Sequence, residues 1–78
     1  MDDRERRLVS NVFDAFDDLV NAEEALAESQ AEVLDRIAKG ESIDAAEISA
    51  RRNSVDERLD AMRVLGEEVG RLRQQLGV

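Results

Sequence analysis

Cysteine, histidine, proline, tryptophan and tyrosine are all absent from this 78-residue chain, and the only aromatic residues are two phenylalanines. Without cysteine there are no disulfide staples and no thiolate chemistry. Without histidine the commonest transition-metal ligand and the usual general base near neutral pH are missing. Aromatic residues that favour strands are scarce, and so are the proline and glycine that build turns, while Ala, Leu, Glu and Arg dominate. The composition therefore specifies an all-α chain.

No apolar run approaches the roughly 20 residues needed to cross a bilayer. The first residues, Met1-Asp2-Asp3-Arg4-Glu5, are too acidic for a secretory signal and have no apolar region behind them, so a cytoplasmic location is expected. Nineteen acids against eleven bases give a net charge of −8. That sign opposes adsorption to nucleic-acid phosphates or anionic membranes, and neither is expected as a direct partner. A chain this short also exposes much of its surface, and association is the remaining source of extra burial.

What is present organises into two helices and one turn within a single domain, 1–78. Asp2 with Glu5 forms a capping box that opens the first helix, and Lys39-Gly40 is a termination signal. The first helix is expected over about 3–38 and the turn over about 39–43. The second helix is expected over about 44–76, opened by Asp44 with Glu47, flanked by Ile43 and Ile48 as a staple, and closed at Gly77. So short a connection between long helices makes them antiparallel neighbours.

Val12, Leu19, Leu26 and Val33 recur every seventh residue, as do Ile48, Val55, Met62, Val69 and Leu76. Val33 with Ile48, Leu26 with Val55, Leu19 with Met62 and Val12 with Val69 are equally far from the turn. These rows are therefore expected to form the hairpin seam, coiled-coil fashion. The same reflection places Glu23 level with Arg58 and Asp18 level with Arg63. Glu32 with Arg36, Glu47 with Arg51 and Glu67 with Arg71 have favourable spacing within a helix. The layout is similar to that of small helical hairpins that pair into four-helix bundles, and to short coiled-coil adaptors.

A second apolar strip comprises Val9, Phe13, Phe16 and Val20 on the first helix with Leu65 and Leu72 on the second. Phe13 and Phe16 could fold over Gly66 and Gly70 within the chain. Alternatively the strip is a partner surface, and a homodimer closing into a four-helix bundle is the expected use. From Leu8 to Asp35 the first helix has no base, and its acids Asp14, Asp17, Asp18, Glu24 and Glu28 could form an acidic docking face. Such a face either solubilises the helix or occupies a basic groove on a target protein, in the manner of a nucleic-acid mimic. A phage or plasmid accessory protein would fit this size.

No catalytic, cofactor-binding or metal-binding residues are identified. Asp17-Asp18 and Glu23-Glu24 are adjacent pairs that diverge by about 100° around the helix, and a two-helix rod has no concavity to perturb them. The expectation is a non-enzymatic interaction module that binds itself and another protein, with no small-molecule substrate.

Overall fold

A computed structural model describes all 78 residues, Met1–Val78, as two α-helices, α1 (Asp3–Ala38) and α2 (Ala45–Leu76), with no strand. The helices pack along each other as a hairpin rod of 57 × 17 × 16 Å. The caps account for its ends. The Asp2 carboxylate accepts the Glu5 backbone N–H at 2.7 Å, and Asp44 accepts that of Glu47 at 2.9 Å. Each bond satisfies one of the orphan donors of a first helical turn. Beyond α1, Gly40 takes a φ of 77°, which lets the Glu41 N–H donate to the Arg36 carbonyl at 3.0 Å. Gly77, with a φ of 75°, closes α2 in the same way.

The turn is held from α1 by Arg36. Its guanidinium pairs with Glu41 at 3.1 Å, with Glu47 at 2.5 Å, and donates to the Ser42 carbonyl at 3.2 Å. Pairing with Glu47, and then with Glu41, raises its pKa above the ordinary guanidinium range. One side chain therefore ties the end of α1, the turn and the first turn of α2 together.

The inward-turned residues of α1 run from Leu8 through Val12, Ala15, Leu19, Ala22, Leu26, Ser29 and Val33 to Arg36. These alternating steps of four and three are the a/d spacing of a coiled coil. On α2 the inward row is Glu47, Arg51, Ser54, Arg58, Ala61, Leu65, Glu68, Leu72 and Gln75. Starting from the Arg36–Glu47 pair, these rows place Val33 level with Arg51, Leu26 with Arg58, Leu19 with Leu65 and Val12 with Leu72. The seam is thus apolar toward the open end and charged toward the turn.

This differs from the expected seam on α2. Ile48, Val55, Met62, Val69 and Leu76 are all exposed, Ile48 by 61%. Each stands one residue beyond an inward position, a rotation of about 100°. Arg51 and Arg58 take the inward row because their long aliphatic stems cover apolar surface while their heads reach the edge. Arg58 there meets Glu23 at 3.4 Å. The other charge pairs are rearranged. Arg63 binds Glu67 and not Asp18, Arg71 binds Glu68 and not Glu67, and Arg36 binds Glu47 across the turn and not Glu32.

Candidate functional site: an uncovered apolar face

Only Ala15 and Val33 are buried, at 4% and 8% exposure. Ala15 shares with Ala22 the smallest side chain in the apolar part of the α1 seam. The interior is otherwise half-open, and some of its polar atoms are poorly served. Arg51 Nε and Glu68 Oε2 are shielded from solvent without a hydrogen-bond partner. An unpaired buried polar group of this kind costs about 1 to 3 kcal/mol.

Within the helices, the large apolar residues left outside follow one rule, terminal Met1 and Val78 lying beyond them. On α1 they are Phe13, Phe16, Val20, Leu34 and Ile37, and on α2 Ile48, Val55, Leu59, Met62, Val69 and Leu76. Every one lies a single residue after an inward position. Viewed from one end of an antiparallel pair, a one-residue advance turns α1 clockwise and α2 counterclockwise. Both rows therefore swing to the same side of the hairpin, and the eleven side chains form one face along the rod. Phe13 and Phe16, at 65% and 52% exposure, dominate its open end.

The expected strip is therefore only partly on this face. Phe13, Phe16 and Val20 belong to it, and half-buried Val9 borders it. Leu65 and Leu72 are half-buried in the inward row of α2, so they exchange places with Ile48, Val55, Met62, Val69 and Leu76. Leu34, Ile37 and Leu59 are additions. Leu34 had a signal in the sequence, the seven-residue repeat of Phe13, Val20, Ala27 and Leu34, which runs one residue after the Val12, Leu19, Leu26 and Val33 row; Ile37 and Leu59 lie outside it.

Gly66 lies within the face and Gly70 one turn further along, at its outer edge. Neither would meet any atom within 4 Å if it carried a Cβ. The phenylalanines thus do not fold over them inside the chain. Each glycine costs about 1 kcal/mol relative to alanine in a helix interior, and nothing within the hairpin offsets this.

The acids of α1 occupy other surfaces. Asp14, Asp17, Asp18, Glu24 and Glu28 are exposed, and none forms an ion pair. No group of three acidic side chains is placed to hold a metal ion. Of the two concavities, one is a shallow cleft beside the turn lined by Ser29, Val33, Arg36, Glu47 and Arg51, and the other lies against Arg4, Arg7, Leu8 and Asn11. Both are open to solvent. No helix is long and apolar enough to cross a membrane.

In comparisons with protein-family models, curated proteins and solved structures, nothing matches this chain.

Proposed function

We propose that the protein is a non-catalytic helical interaction module whose uncovered face is closed by self-association, two hairpins forming a four-helix bundle. The carrying observation is the single face made by eleven exposed apolar side chains. On α1 the apolar arc covers both the inward row and the adjacent row, and on α2 it covers the adjacent row and, toward the open end, Ala61, Leu65 and Leu72 of the inward row. That width suits a helix packed against two neighbours, whereas a lone two-stranded seam needs only a narrow stripe.

Surface area supports the same reading. A compact monomer of 8.7 kDa exposes about 4,700 Å² by the usual scaling with mass. The hairpin exposes 5866 Å². The excess, roughly 1,100 Å², is comparable to the roughly 800 Å² that each partner contributes to a standard stable interface. The experiment is dilution. Helicity and melting temperature, followed by circular dichroism, should fall together from about 100 to about 1 μM, because association stabilises the folded chain by mass action. A melting curve independent of concentration would sink the proposal.

A second reading is favoured by the unpaired acids of α1. In this reading the assembled module presents Asp14, Asp17, Asp18, Glu24 and Glu28 to a basic groove on another protein. Such contacts are screened, so binding should weaken steeply with salt. Reversing Asp17 and Asp18 to lysine, and Glu24 and Glu28 likewise, should abolish capture of that protein without changing helicity. Capture that survives both reversals would leave these acids with solubility alone.

A further inference from the structure

A second copy can cover the face in two twofold ways. With the axis along the rods, open ends meet and α1 lies on α2 of the partner. With the axis across the rods, each open end meets a turn and α1 lies on the other α1. Charge separates the two. Between Leu8 and Asp35, α1 carries eight acids and no base, whereas the six arginines of α2 are balanced by six acids and leave it without net charge. Laying α1 on α1 sets two such acidic helices side by side, whereas laying α1 on α2 sets each against a helix of no net charge and so avoids that repulsion.

Shape agrees with charge. An axis along the rods keeps every residue at its own height in both copies, so the heights within one hairpin also set the contacts between hairpins. Stepping along the inward rows from the Arg36–Glu47 pair places Phe13 at the height of Gly70 and Phe16 within about one residue of Gly66. Those glycines have open space around them, and the two rings are the bulkiest exposed groups on the face. The crosswise axis would instead carry both rings toward Glu23 and Ala27, the face positions that follow inward Ala22 and Leu26, where no glycine leaves room.

We infer that two copies associate open end to open end, α1 of each on α2 of the other, with Phe16 seated over Gly66 of the partner subunit and Phe13 beside it toward the open end. This inference rests on the self-association reading and specifies its geometry. Large side chains then fill the gaps left by the absent ones, as helix packing requires. All neighbouring helices in this bundle are antiparallel.

The chain has no native cysteine, so Ser42→Cys, at an exposed turn position, supplies one label per copy. In the full-length dimer, electron–electron distance measurement between spin labels should give less than about 35 Å, since the hairpin is 17 Å across. A distance near the 57 Å rod length would overturn the orientation while leaving self-association intact. A labelled monomer would overturn self-association itself. Gly66→Leu completes the test. It should weaken the dimer at least tenfold although leucine is the better helix former, and unchanged or tighter association would refute the seating of the phenylalanines.

Discussion

Replacing Phe16 with glutamate is expected to weaken self-association on the order of a hundredfold or more. A phenylalanine brings roughly 150 to 250 Å² of surface to a contact, and the substitution loses this while driving a carboxylate into apolar surroundings. A penalty of about 3 kcal/mol corresponds to that factor. The new charge would also sit beside Asp17 and Asp18, already exposed and unpaired on the same helix. Because association supports folding, helicity at about 10 μM should fall in the same variant and return at higher protein concentration. Asp17→Lys, placed away from the face, is the control and should change neither quantity. Sedimentation velocity run beside circular dichroism reads both effects, and a Phe16→Glu protein that remains fully associated would contradict the assignment of the face.

Ala15→Glu is expected to break the hairpin itself, at a cost of about 3 kcal/mol or more. Ala15 is 4% exposed, and its counterpart at the same height on α2 is Glu68, a half-buried carboxylate with one unpartnered oxygen. A second carboxylate here adds like-charge repulsion to desolvation, where two helices leave no room for a longer side chain. Because folding and association are linked by mass action, raising the protein concentration should recover only part of this loss, and Ala15→Ser should be mild. Chemical denaturation of the three proteins distinguishes these outcomes. A normally stable Ala15→Glu hairpin would mean that the helices do not meet along the row containing Ala15.

The helix limits were legible because their causes are local. Asp2, Asp44, Gly40 and Gly77 act within a few residues of themselves, and the structure uses each of them as a cap. The inward row of α1 was also legible, since Val12, Leu19, Leu26 and Val33 are its most regular apolar repeat. On α2 the same reasoning selects Ile48, Val55, Met62, Val69 and Leu76. The most apolar row is not the row that faces α1, because Arg51 and Arg58 interrupt the true inward row with charge. Periodicity fixes a seven-residue repeat but not which of two adjacent rows faces which neighbour, and one residue of ambiguity is a rotation of about 100°. A broad arc serving two contacts makes that ambiguity unavoidable from sequence. The charge pairs were poorly legible for a different reason. Long side chains on an exposed surface choose among several partners of similar energy, as Arg63 does in binding Glu67 and not Asp18.

The central claim, that the apolar face is covered by a second copy, is tested most directly by sedimentation equilibrium of the unmodified protein at about 10 to 100 μM. The account predicts a mass twice that of the 8.7 kDa chain, with dissociation on dilution accompanied by loss of helix. A fully helical species of 8.7 kDa throughout that range would contradict it.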